Sequence, residues 1–186
     1  MWRLAPLFAQ VTGQKGICMS EKPNWRVRPV ELSDTEIVAR IHVESWKVAY
    51  HGLMPSEVLD DLTVQQHYKI WKNHIMKGRR GLVLEREQGV EGFCMYGPSK
   101  NREHGEIYAI HLDPSVWKLG GGSELYCETT SALREMGFSD IEVRVLEGNE
   151  IACGFYRKHG LTSNGTIHNV RVAGLDLPHI FFHGKL

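Results

Sequence analysis

The sequence predicts an α/β fold, a single mixed and mostly antiparallel sheet of six to seven strands with helices on both faces. Three observations carry this. Short runs that alternate with period two recur along the chain, as at residues 25–30 and 141–145. Stripes at helical spacing lie between some of them, notably Leu125, Thr129, Ala132, Leu133 and Met136. Strands two to four follow one another through short connections, which makes them antiparallel, whereas strands four and five are joined through a helix.

Taken in order, Trp25-Arg-Val-Arg-Pro-Val30 is strand one. Ser33 and Asp34 then offer an N-cap ahead of Ile37, Val38, Ile41, Val43 and Trp46, which share one helical face. A second helix is expected from Thr63 through Tyr68, Ile70 and Trp71 to about Lys77, stopped by Gly78. Residues 81–85 and 92–96, joined through Gln88-Gly89, read as a hairpin of strands two and three. Residues 103–112 supply strand four, whose alternation puts Glu106, Tyr108, Ile110 and Leu112 on one face and Ile107, Ala109 and His111 on the other. Gly120-Gly121-Gly122 turn the chain into the helix that ends at Gly137-Phe138, a glycine C-cap. Ile141, Val143 and Val145 form strand five, and a further helix places Ala152, Phe155 and Tyr156 on one side before Gly160 stops it. Residues 162–172 and 177–182 are two last strands, read as sheet edge and separated by Gly174.

With 186 residues and 42% hydrophobic content, the chain can bury a substantial core as one domain, expected over residues 23–186. Residues 1–22 lack periodicity and are expected to be peripheral. Their apolar run is short, is broken by Pro6 and follows one basic residue, which makes a poor secretory signal. No run approaches the ~20 apolar residues of a membrane span. Lys plus Arg equals Asp plus Glu at 22 each, so no global field recruits nucleic acid or an anionic membrane, and neither is expected as a partner. The four cysteines include no Cys-x-x-Cys pair and the ten histidines show no ligand spacing, so neither a disulfide framework nor a metal is indicated. A reduced, cytoplasmic setting follows.

The chemistry concentrates around the three glycines. They remove every Cβ where backbone would approach a ligand, and the helix after them aims its unpaired N–H groups and positive dipole end at the same space. This is an anion site. It is not a P-loop, because no Lys-Ser/Thr follows, and Gly120, Gly121 and Gly122 lack the spacing of a dinucleotide fingerprint. About thirty residues on stands Asn149-Glu-Ile-Ala-Cys-Gly-Phe-Tyr-Arg-Lys-His-Gly-Leu161. It matches the pattern Asn-x-x-Ala-x-x-Phe-Tyr-x-x-x-Gly-Phe at Asn149, Ala152, Phe155, Tyr156 and Gly160, with Leu161 for the final Phe. The glycine loop matches Gln/Arg-x-x-Gly-x-Gly/Ala at Gly120 and Gly122, with Trp117 for Gln or Arg and Gly121 for a common aliphatic. Together the two segments resemble the GNAT superfamily of acyl-CoA-dependent N-acyltransferases, a resemblance that covers roughly residues 25–186.

The resemblance implies acetyl-CoA as co-substrate, with no metal. It assigns the acyl carbonyl and pantetheine amides to the backbone of Ile110, His111 and Leu112. It wraps the pyrophosphate in Lys118, Leu119, Gly120, Gly121, Gly122 and Ser123, and gives Asn149 a bond to the pantetheine arm. Trp117 would lose a pyrophosphate contact that Lys118 restores, and the added Gly121 is expected to loosen the loop and weaken CoA binding. Residues 45–55 resemble a stretch common in one large GNAT subgroup, where the first two helices roof the acceptor pocket. That implicates Trp46 and Tyr50, whose other reading, like that of Trp71, is core packing.

An amine attacks a thioester only as the neutral base, and reference pKa values near ~8 for an α-amine and ~10.4 for lysine leave it mostly protonated at pH 7. A base is needed. Glu106, at the start of strand four where the family often places a carboxylate, is the first choice, directly or through water, with His111 and His104 in reserve. Collapse of the tetrahedral intermediate expels a thiolate, and Tyr156 matches the family tyrosine that protonates it. No cysteine stands where a ping-pong nucleophile is called for. The expected activity is direct, sequential N-acetylation of a small-molecule or peptide amine. The rival, motivated by the irregular glycine loop, is a catalytically silent CoA-binding regulatory or scaffold protein of the same fold. Exposed edge strands would suit a homodimer.

Overall fold

The computed structural model describes residues 24–100, 102–172 and 174–186, so the expectation for residues 1–22 lies outside the described residues. The strands are β1 Arg26–Pro29, β2 Gly81–Arg86, β3 Gly89–Pro98, β4 Gly105–Leu112, β5 Asp140–Leu146, β6 Ile167–Val172 and β7 Leu175–Lys185. The helices are α1 Thr35–Ala49, α2 Ser56–Asp60, α3 Val64–Met76, α4 Gly121–Glu135 and α5 Glu150–Lys158. All seven strands join one sheet in the order β1-β2-β3-β4-β5-β7-β6. Only the central pair, β4 with β5, is parallel.

Helices cover both faces, as the two apolar stripes require. The core under α4 and α5 contains Leu125, Leu133, Cys153 and Tyr156 against Leu84, Ile107, Val143 and Phe182. The core under α1 and α3 contains Val38, Ile41 and Trp71 against Val83, Phe93 and Met95. Each fully buried large side chain contributes about 1.5–3 kcal/mol, so these two layers clamp the sheet between them. Thr63 starts α3 with a capping box, its hydroxyl accepting from the Gln66 N–H while the Gln66 side chain accepts from its own.

Four local expectations are corrected. Asp34 does not cap α1 through its side chain. Its carboxylate instead takes both terminal nitrogens of Arg28, at 2.8 and 2.9 Å, and the Glu31 N–H at 2.8 Å, which ties β1 to the turn before the helix. The short α2 was not foreseen, because five residues after Pro55 are too few to display a period. β7 is not an edge: it lies between β5 and β6, and β6 takes the outside position. The strict alternation along β4 also fails at Tyr108. Met95 pairs with Ala109 and Tyr96 with Ile107, so Tyr108 has no partner of its own on β3. This bulge moves Ile107 into the core beneath α4 and α5 with Ile110 and Leu112. Ala109 packs on the opposite core.

Candidate active site

β4 and β5 keep only three pairs, from Gly105↔Ile141 to Ile107↔Val143. β5 then follows β7 to Leu146↔His179, while β4 follows β3 to Gly92↔Leu112. The strands therefore part at Tyr108 and Arg144. An extra residue bends a strand and sharpens its twist, so the bulge at Tyr108 is the local cause. Parting leaves backbone N–H and C=O groups along both facing edges without a strand partner. The wedge opens into a cavity of about 570 Å³, lined by β4, β5, the start of α4, residues of α5, Ser45 and Ala49 of α1, and Tyr50 just after it. That volume lies within the usual range for a small-molecule site.

The start of α4 is backbone at the cavity wall. Gly120 has φ +100, a left-handed conformation that favours glycine. Ser123 and Glu124 donate their N–H groups back to the Gly120 carbonyl at 2.9 and 3.3 Å. The N–H groups of Gly121 and Gly122 come too early in the helix to have an intrahelical acceptor, and Gly122 lines the cavity, where its N–H suits an anion. Gly121 lies in the helix and not in the loop before it. It is buried as the first residue of the helix, and a Cβ there would stand 2.6 Å from Leu84 Cδ2 and 3.0 Å from the Trp25 ring. Glycine lets α4 sit tightly on the sheet. Trp117, in the place of the usual Gln or Arg, donates its indole N–H to the Leu112 carbonyl at 2.9 Å and closes the end of β4.

On α5, the Asn149 side chain accepts from the Ala152 N–H at 3.1 Å, so it is the helix cap, and it lines the cavity as well. Tyr156 is buried and also lines the cavity. Burial pushes its phenol well above the usual range, helped by the nearby Cys94 thiol and the Tyr50 and Tyr126 phenols. It is a neutral proton donor. Glu106 is 2% exposed and does not itself line the cavity. Its carboxylate accepts from an Nη of Arg144, which does line it. Burial raises the Glu106 pKa and outweighs the opposite pull of Arg144.

Beside the wedge lies a cluster that the sequence did not announce. An indole N–H can only donate, so it identifies the bare nitrogen of any imidazole it touches. Trp46 donates to His111 Nε2 at 3.3 Å, which puts the ring proton on Nδ1, 3.0 Å from Ser45 Oγ. Ser45 in turn donates to the His42 carbonyl at 3.2 Å. Trp71 donates to His42 Nδ1 at 2.9 Å, leaving a proton on His42 Nε2, which is buried without a partner. The His42 and His111 rings stack at 5.0 Å, and His67 meets His42 edge-on at 4.5 Å. Burial, with the neighbouring imidazole of His67, lowers the His111 pKa to about 4. His42 falls well below its usual value for the same reasons. His111 has no lone pair free to act as a base, and His104 is not among the residues that line the cavity.

Of the residues predicted to hold the cofactor, Ile110, His111, Leu112, Lys118, Gly120, Gly122, Ser123, Asn149 and Tyr156 all come together around the cavity. Leu119 is 47% exposed and outside it, and Gly121 lies beneath the helix. Tyr50 lines the cavity, whereas Trp46 stands behind it on His111. Sequence reasoning missed Ser45, Tyr108, Lys158 and the whole β5 wall including Arg144. Among the described residues, no three His, Cys, Asp or Glu side chains are placed to share a metal, and no helix is long and apolar enough to cross a membrane.

A mixed sheet parted at its one parallel pair, a glycine-started helix end beside the parting and a buried phenol in its wall define an acyl-transfer fold. Residues 39–161 match the Acetyltransferase (GNAT) family, and the chain belongs to that family. It is similar to the uncharacterized N-acetyltransferase YuaI of Bacillus subtilis, with 31% identity over 158 residues, 83% of this chain and 89% of the relative. Among solved structures it resembles the PaiA N-acetyltransferase of Thermoplasma acidophilum in complex with coenzyme A, at a TM-score of 0.71 and 18% identity. That match covers 87% of this chain and 99% of the other. The YncA structure of Salmonella typhimurium with acetyl-CoA gives a TM-score of 0.65 at 16% identity, covering 87% of this chain and 94% of that one.

Proposed function

We propose that this acetyltransferase moves the acetyl group of acetyl-CoA directly to an amine within the parted β4–β5 wedge. The observation that carries the reading is the parting itself, which exposes two strand edges beside an uncapped helix N-terminus and the Tyr156 phenol. The residues present fit acetyl-CoA. The N–H group of Gly122 at the start of α4, with Lys118 and Lys158 lining the same cavity, suits the pyrophosphate. The free edge of β4 from Tyr108 to Leu112 suits the pantetheine amides, and Asn149 offers its amide N–H₂ from the cap position. Lys118 holds φ +65, a strained conformation costing about 1 kcal/mol for a residue with a Cβ, as ligand clamps often do.

Acetyl-CoA supplies the thioester. Tyr156, kept protonated by burial, donates to the departing sulfur. Glu106 receives the proton of the amine through water, because it is buried and does not itself line the cavity. Its raised pKa strengthens it as a base, and Arg144 keeps it ionised despite burial. Cys94 and Cys153 are buried free thiols and do not line the cavity, which supports direct transfer and fits a reducing cytoplasm. β6, at the sheet edge, is the strand that a second copy would pair with.

The test is thiol release from acetyl-CoA with a panel of amines, combined with mass spectrometry of amine and protein. Acceptor-dependent turnover with intersecting initial-rate lines supports direct transfer. An acetylated enzyme formed without acceptor overturns it, and tight CoA binding with no turnover on any amine favours the silent binder.

A further inference from the structure

The charges on the cavity wall are one-sided. Lys118, Lys158 and Arg144 line it, and among the described residues no aspartate or glutamate does. Lys118 and Lys158 belong to the α4 end, where the cofactor phosphates account for them. Arg144 does not. It is the first residue of β5 past the last β4 pair, Ile107↔Val143, and so stands at the apex of the wedge where the strands part. One Nη is bonded to Glu106. The guanidinium carries five N–H donors, its side chain is 37% exposed at this wall, and no other ion pair engages it among the described residues. A structural arginine whose work was only to neutralise Glu106 would not need to present the rest of its fork to a ligand cavity.

Resting on the transferase reading above, we propose that Arg144 receives a carboxylate of the acceptor, so that the substrate class is amines that also carry a carboxylate, such as amino acids. A single guanidinium already shared with Glu106 suits a singly charged carboxylate better than a dianionic phosphate, and the absence of lining carboxylates disfavours polyamines. The carboxylate held at the apex fixes where the amine of the same molecule lies, close to Tyr108 and the free β4 edge.

The experiment uses matched acceptors, amino acids and ω-amino acids each paired with its carboxamide, together with spermidine. An adjacent carboxylate makes an amine more basic and less often neutral, so basicity alone favours the carboxamide. The expected result is a kcat/KM at least tenfold higher for the carboxylate member of the preferred pair, expressed mainly in KM. Arg144→Gln should bring that ratio close to one. Because both members are measured on the same variant, any loss common to both cancels, and Arg144→Lys, which keeps a positive charge beside Glu106, separates loss of the fork from exposure of that carboxylate. Should Arg144→Gln not fold, Arg144→Lys, which keeps the charge and loses the fork, must still cut the ratio severalfold. Equal use of both members, preference for the carboxamides or spermidine, or an unchanged ratio in the variants overturns the inference while leaving the transferase reading intact. Bound acetyl-CoA with no transfer to any amine overturns that reading, and the inference with it.

Discussion

At the α4–α5 end of the cavity the wall is mostly backbone: the left-handed Gly120, the first N–H groups of α4, and Ser123 braced on His159 Nε2 at 3.1 Å. At the α1 end the wall includes Ser45 and His111 from distant segments, held from behind by Trp46, His42 and Trp71 in one hydrogen-bonded set. Backbone presents the same donors whatever the neighbouring residues are, so the first end suits a constant ligand. Side chains present whatever the sequence places there, so the second end can be specific to this chain. Tyr156 stands where the two meet.

If that division holds, removing the hydroxyl at the junction should slow the chemistry without loosening the cofactor. Tyr156→Phe should lower kcat ~10²–10⁴-fold, roughly 3–5 kcal/mol of barrier, with CoA affinity within a few-fold. Burial keeps this phenol protonated well above its usual range, so no alkaline limb of the rate profile belongs to it. Rate profiles and CoA titrations of both proteins check this, and weaker CoA binding equal to the rate loss would break the division.

The next effect belongs to the side-chain end alone. The folded protein holds His111 down to about 4 against the usual 6.5 of an imidazole, so the unfolded chain binds the extra proton first as pH falls. This contribution is full above pH 6.5 and is lost as the pH drops toward 4, up to about 3 kcal/mol for this residue, with His42 adding in the same direction. Urea unfolding from pH 8 to 4 measures it. His111→Gln should start less stable and lose less stability over that window.

Smaller effects are expected at the backbone end, and there the two helical glycines should differ. Gly121→Ala pushes a methyl into Leu84 and Trp25 and should cost ~1–3 kcal/mol of overpacking, with weaker CoA binding as α4 lifts. At Gly122 the same methyl meets Phe155 at 3.4 Å and Leu112 at 3.7 Å, ordinary contact. Gly122→Ala should therefore match the parent in thermal melting. Equal stabilities for the two variants would remove the packing explanation for Gly121.

The same contrast explains what could be read from the sequence. Period-two runs and helical stripes located every strand and every helix longer than five residues, because burial of one face leaves a period behind. The glycine loop and the Asn149–Leu161 motif marked the backbone end, since positive φ and close helix approach restrict residue type. The bulge at Tyr108 left no mark, as an extra residue in a strand looks like any other strand residue. With it went the true face of Glu106, the parting of β4 from β5 and the place of Arg144 at the apex. Ser45 and His111 are 66 residues apart, and nothing local connects them.

Asn149 makes the α5 cap bond and also lines the cavity, and the proposed cofactor contact can be separated from the cap. Its Oδ1 caps α5 by accepting the Ala152 N–H, a bond whose loss costs about 1 kcal/mol, while its N–H₂ is left for the cavity. Asn149→Ala removes both and should lower stability by about that amount and CoA affinity severalfold. Asn149→Asp keeps an acceptor of the same shape and adds a negative charge that the helix N-terminus favours, so melting should match the parent. It also replaces the amide donor with an anion facing the ligand, so CoA affinity should still fall severalfold. Calorimetric melting and a CoA titration on the pair decide between the roles. If Asn149→Asp binds CoA as the parent does, Asn149 serves only as a cap, and recognition of the cofactor at that end rests on backbone throughout.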